Sequence, residues 1–230
     1  MHIGLIGGIG AAATVVYYQR LCAAMATRGK RLELTIVQAD IHELIANNLA
    51  DRRGEQARVY AGLIDRLAAA GADCAAITSL GGHFCFAETQ ALSALPLVSA
   101  VAPLDVYFAT EGLGAVGLLG TRVVMRTRLY GQLHQTRAVV LDDEVENLGQ
   151  MYQEVAVAGC CPDAARDAFF AAGRRMIAEQ GAEAIVLAGT DLNLAFDGRD
   201  PGYRVIDALD VHVALLADLA SDTRSLADVG

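Results

Sequence analysis

The sequence predicts an α/β protein made of two similar Rossmann-like or flavodoxin-like domains, each built on a parallel sheet and related by pseudo-two-fold symmetry. Three observations carry this expectation. Short apolar runs ending in glycine or a small polar residue alternate with stretches of helical spacing, the pattern of buried parallel strands and their crossovers. The order then restarts: "VGLLGT" (Val116–Thr121) echoes "IGLIGG" (Ile3–Gly8) at an offset of 116 − 3 = 113, and "GAEAIVLAG" (Gly181–Gly189) echoes "GADCAAITS" (Gly71–Ser79) at 181 − 71 = 110. Two echoes at nearly one offset indicate an internal duplication. Finally, 230 residues of which 54% are apolar suffice for one large core or two small ones.

In chain order, Ile3–Gly8 reads as a buried strand and residues 13–28 as a helix. "LELTIVQAD" (Leu32–Asp40) is a second strand. From 55 to 70, Tyr60, Leu63, Ile64 and Leu67 recur at helical spacing. "GADCAAITS" follows as a strand, then a glycine-rich loop, a short helix near 87–94 and the strand "LPLVSAV" (Leu95–Val101). In the second half, Val116–Thr121 is a strand, a helix begins near Met125, and "RAVVLDD" (Arg137–Asp143) is the next strand. The helix at 163–180 carries Phe169, Phe170, Gly173, Met176 and Ile177 on one side, and Gly181–Gly189 is again a strand. The closing segment from Tyr203 reads as a short strand or turn and a helix that returns to the first half. The expected domains are therefore 1–101 plus 203–230, and 102–202.

Ligands of open parallel sheets sit outside the carboxyl ends of the strands. The loops after Gly8, Ser79, Thr121 and Gly189 are thus expected to line one cleft between the domains, with Ser79 and Gly189 facing each other. Gly8, Gly10, Gly120 and Thr121 stand at strand-to-helix turns, where backbone N–H groups attract anions. A carboxylate is the natural guest. The glycines do not fall in the GxGxxG register, so no dinucleotide is expected.

Composition narrows the partners. The net charge is −9 and the basic residues are scattered apart from "RGKR" (Arg28–Arg31), so nucleic acid is not expected. No apolar run approaches a membrane span of about 20 residues, and no signal-peptide pattern precedes the first strand. A cytoplasmic protein with reduced thiols is expected. Its five cysteines, Cys22, Cys74, Cys85, Cys160 and Cys161, show no metal-ligand spacing.

Together these segments resemble the aspartate/glutamate racemase family. "IGLIGGIGAAATVVYYQRL" is similar to its opening, "VGLLGTRVVM" to its second-half strand, and "GADCAAITSLGGHF" and "GAEAIVLAGTDL" to its two catalytic segments. "RVIDALDVHVALL" is similar to its closing segment. The resemblance implies two α/β domains, a cofactor-free and metal-free site between them, a small amino or carboxylic acid as ligand, and a homodimer. It also implies a pair of cysteines flanking the substrate's Cα, one removing a proton and the other delivering one to the opposite face.

Here those two positions are Ser79 and Gly189, and the residues after the first are Leu80 and Gly81. A lysine of the family aligns with Cys160, and a threonine with Val124. An alcohol ionises far less readily than a thiol, and glycine holds no proton. His83 remains as a proton-transfer candidate or a helix-capping residue. Asp191 is an orienting acid or an N-cap, and Thr190 a ligand contact or a cap. Cys160 and Cys161 are either loop thiols reaching the site or ordinary thiols; Cys74 reads as core, and Cys85 as facing the core or the cleft. Three functions stay open. They are a racemase with altered proton-transfer groups, a one-base lyase or decarboxylase acting on a small carboxylate, and a non-catalytic binder of small acids.

Overall fold

The computed structural model describes residues 1–8 and 10–228. Its chain divides into two compact units, residues 1–100 with 210–230, and residues 101–209.

The first unit is built on four parallel strands. These are β1 (His2–Gly7), β2 (Glu33–Gln38), β3 (Cys74–Ile77) and β4 (Leu97–Val98), in the order β2-β1-β3-β4. Helices α1 (Ala11–Thr27), α2 (Ile41–Leu49), α3 (Arg53–Ala69) and α4 (Phe86–Leu92) supply the crossovers. The central strands are the uninterrupted apolar runs: β3 is buried throughout and β1 from Ile3 onward. β2 lies at the edge and keeps exposed residues, as a strand covered on one side should.

The second unit repeats the plan. Strands β5 (Ala115–Gly120), β6 (Arg137–Val139), β7 (Ala184–Ala188) and β8 (Val205–Asp207) pair in parallel in the order β6-β5-β7-β8. Its helices are α5 (Leu104–Thr110), α6 (Arg122–Arg126), α7 (Val145–Ala158), α8 (Asp163–Gln180) and α9 (Asn193–Phe196). The final helix, α10 (Ala208–Ala220), rejoins the first unit from Asp210 onward. There it meets α1 through Tyr17–His212, Arg20–Asp210 and Arg28–Asp218 contacts. Among the described residues, no helix is long and apolar enough to cross a membrane.

The boundary anticipated at residue 203 moves to 209/210. Val205–Asp207 is the fourth strand of the second sheet, paired with β7, and the return begins only after it. Strand ends are also shorter than the apolar runs suggest: Leu95–Val101 contributes only Leu97–Val98 to a strand.

One carboxylate pins the second unit's edge. Asp105, buried on α5, accepts hydrogen bonds from the backbone N–H groups of His134, Gln135 and Thr136 at 2.9–3.2 Å. Desolvation opposes its ionisation, yet these three donors hold its carboxyl below the usual range. Asp105→Ala leaves three amides without their acceptor and is expected to cost about 2–3 kcal/mol, read as a lower urea midpoint at pH 7. An unchanged midpoint would show that the loop does not depend on this anchor.

Candidate functional site

The carboxyl end of β1 turns at Gly8, which has φ +87°, and a Cβ there would lie 2.1 Å from Gln38 Nε2. Its N–H is not open to a ligand, because it donates to Thr14 Oγ1 at 3.0 Å. Gly10 is the N-cap of α1 and brings no side-chain cap, so the first turn of this 17-residue helix lacks both a capping side chain and an acidic residue. Of the two glycines, Gly10 is therefore the one whose position suits an anion.

At the end of β3, Thr78 donates to the Ile6 carbonyl at 3.0 Å, which ties the two strand ends together. Ser79 is buried and its Oγ accepts from Gly82 N–H at 3.2 Å. That bond takes up a backbone N–H in the first turn of the short helix Gly81–Cys85, whose N-cap is Leu80. Among the described residues no base bonds to Ser79 Oγ: His83 reaches the Ser79 carbonyl, not its hydroxyl.

His83 serves a purpose that neither sequence reading named. Its Nδ1 stands 2.7 Å from the Ser79 carbonyl, an acceptor, so Nδ1 carries the proton; Nε2 accepts from Ala100 N–H at 3.0 Å. Both ring nitrogens are occupied, and the ring stacks on Phe86 with centroids 5.2 Å apart. Burial pushes its pKa down to about 4, despite the bond to Ser79. His83 is a neutral clamp between the end of β3 and the segment after β4, and the proton-transfer role is withdrawn on this geometry.

A second buried histidine belongs to this unit. His212 Nδ1 lies 2.9 Å from Tyr17 Oη, and burial followed by repulsion from His83 lowers its pKa to about 3. The sequence reading passed over it, although "VHVALL" places it on an otherwise apolar helix, where a polar ring needs a partner.

In the second unit, Gly120 ends β5. A Cβ there would lie 2.6 Å from the Ala188 carbonyl, so close strand packing demands the glycine. Thr121 caps α6, its Oγ1 accepting from Val124 N–H at 3.3 Å.

The end of β7 holds the most informative arrangement. Position 189 has no room for a side chain. A Cβ on Gly189 would stand 2.3 Å from Tyr152 Cε2 and 2.9 Å from Gly120 Cα. The phenol ring of Tyr152, carried on α7, fills that volume. Its hydroxyl donates to Asp191 Oδ2 at 3.1 Å, and the Thr190 side chain also bonds to it. Tyr152, Thr190 and Asp191 are all buried. Desolvation and the Asp191 charge raise the phenol well above its usual pKa. Asp191 therefore anchors a tyrosine and does not act as the N-cap of α9, which has no side-chain cap.

Tyr152 was missed by sequence reasoning. The signal was present: Val145, Leu148, Gly149, Tyr152, Val155 and Ala156 form the buried stripe of α7, and a tyrosine there brings a hydroxyl that must find a partner. Cys74 and Cys85 are core thiols, both pushed up to about 11 by burial. Cys160 is exposed and Cys161 half-buried between α7 and α8.

Residues 6–216 match the family model for Asp/Glu/hydantoin racemases. Among solved structures, a Yersinia pestis protein provisionally called an Asp/Glu racemase superposes with a TM-score of 0.79 at 26% identity, covering 96% of this chain and all of that one. An aspartate racemase homologue from Pyrococcus horikoshii gives 0.75 at 24%, covering 96% and 99%. Glutamate racemase from Francisella tularensis, solved with D-glutamate, gives 0.62 at 13%, covering 96% and 81%, which is a likeness of fold.

Proposed function

The chain belongs to the Asp/Glu/hydantoin racemase family, and on that premise we propose that it binds a small amino or carboxylic acid and carries out cofactor-independent proton transfer at Cα without a two-cysteine pair. In this reading the ligand's carboxylate is received at a strand-end loop, near Gly10 at the start of α1. The family's two acid/base positions are the residues at 79 and 189.

The observation that carries the reading is what occupies those positions. Ser79 Oγ accepts the Gly82 N–H and, among the described residues, is bonded to no base, and Gly189 is overlaid by Tyr152. Two interconvertible thiols cannot act there, so racemisation by matched acid and base on both faces is disfavoured. Proton chemistry on a single face, as in a lyase or decarboxylase, needs only one such group and fits the inventory better.

The test is incubation with aspartate, glutamate and methylmalonate in D₂O. Thermal stabilisation by at least one acid, with deuterium entering at Cα on one face only, is the expected result. Full loss of optical activity at a racemase-like rate would overturn the one-face reading. The absence of both stabilisation and exchange with every acid would overturn the reading as a whole.

A further inference from the structure

We propose that the Tyr152 hydroxyl is the proton donor at the end of β7, replacing the side chain that position 189 lacks. The inference rests on the small-acid reading above and deepens it.

The geometry argues for substitution of one group by another. A glycine at the end of a buried strand leaves a void unless something else enters it, and packed interiors do not keep such voids. What enters is the aromatic ring of Tyr152, whose Cε2 comes within 2.3 Å of where a Cβ would stand. The ring brings an ionisable hydroxyl into that volume, and Asp191 and Thr190 hold it in place. A plain filler needs neither a hydroxyl nor a buried carboxylate to orient it. Phenylalanine would fill the same volume without burying polar groups, which costs free energy.

The chemistry is one-directional. Beside the Asp191 carboxylate the phenol stays protonated at neutral pH, so it gives a proton and does not take one. The carbanion it quenches must arise elsewhere, for example when a C–C bond breaks, CO₂ leaves and the electron pair remains on Cα. The phenol O–H bond then breaks, a C–H bond forms at Cα, and the pair from O–H stays on the phenolate. Water returns a proton to the phenolate, a step that repulsion from Asp191 favours. No electron is gained or lost, and no co-reactant besides water is required.

Tyr152→Phe tests this while keeping the ring over Gly189. With aspartate, glutamate and methylmalonate in D₂O, the variant is expected to incorporate deuterium about 100-fold more slowly than the parent. Stabilisation by the same acids should be retained. The parent's rate should stay level from pH 6 to 9, whereas a cysteine donor would give a falling limb near its usual pKa of about 8.5. The double variant Y152A/G189C, which puts a thiol into the vacated space, should regain turnover and acquire that limb.

Equal rates in Tyr152→Phe and the parent would overturn the proposal and leave acid binding intact. Acid-induced stabilisation of the parent with no deuterium incorporation would overturn it in the same way. Failure of every acid to bind would remove the underlying reading and this proposal together.

Discussion

Gly189→Cys in the otherwise unchanged chain is expected to destabilise the protein by about 3 kcal/mol or more. The new Cβ would overlap Tyr152 Cε2 at 2.3 Å and press on Gly120 Cα at 2.9 Å. The ring cannot retreat freely, because its hydroxyl is bonded to Asp191 inside the core. Tyr152→Ala alone should cost a similar amount, about 3–4 kcal/mol, by leaving a cavity and taking one hydrogen-bond donor from the buried Asp191 carboxylate. The double variant Y152A/G189C should be less damaged than the sum of the two by at least about 2 kcal/mol, since each change makes room for the other. Urea midpoints of the four proteins at pH 7.5 measure the coupling. Simple additivity would show that ring and glycine do not share one volume.

The second large effect is acid sensitivity. His83 and His212 titrate in the folded state near 4 and 3, well below the ordinary 6.5, because burial disfavours their charged forms. The unfolded chain therefore binds protons first as pH falls. Stability from these residues is complete above about pH 6.5. It is lost on going down towards 4 for His83 and towards 3 for His212. The loss is on the order of 3 kcal/mol for His83 and somewhat more for His212 as upper figures. Chemical denaturation between pH 8 and 4 should show stability dropping below pH 6.5. The imidazole NMR signals of His83 and His212 in the folded protein should stay neutral through pH 5. Either of these two rings titrating near 6.5 in the folded state would remove this account of it. Protonation of His83 is costly for a specific reason: its Nε2 accepts the Ala100 N–H at 3.0 Å, and a second proton would set donor against donor.

Much of the fold was legible because it rests on long apolar runs. Central strands such as β1, β3, β5 and β7 are buried, so their sequences carry no polar alternation and stand out; the repeat offsets then order them. α2 was not anticipated. Its nine residues include His42, Glu43, Asn47 and Asn48, and tertiary contacts settle it: Asn47 bonds to Gln56 at 2.9 Å and Asn48 to the Gly81 carbonyl at 3.3 Å. The site was harder to read than the fold. Sequence showed where side chains were missing, at Gly189, but not which residue from another element filled the gap. Tyr152 lies 37 positions earlier, by 189 − 152, and only packing joins the two. His83 was noticed for its chemistry, whereas its ring nitrogens are spent on backbone partners that periodicity cannot reveal.

The crossing of α10 back to the first unit has a consequence for biosynthesis. The half that leaves the ribosome first stays incomplete until the last segment, from Asp210 onward, has emerged. Until then Tyr17 and Arg20 lack their His212 and Asp210 contacts. The later-made half has all four of its strands by Asp207 and can mature before its predecessor. A nascent chain stalled near residue 205 would thus present an open apolar flank on its older portion, a natural landing place for a chaperone.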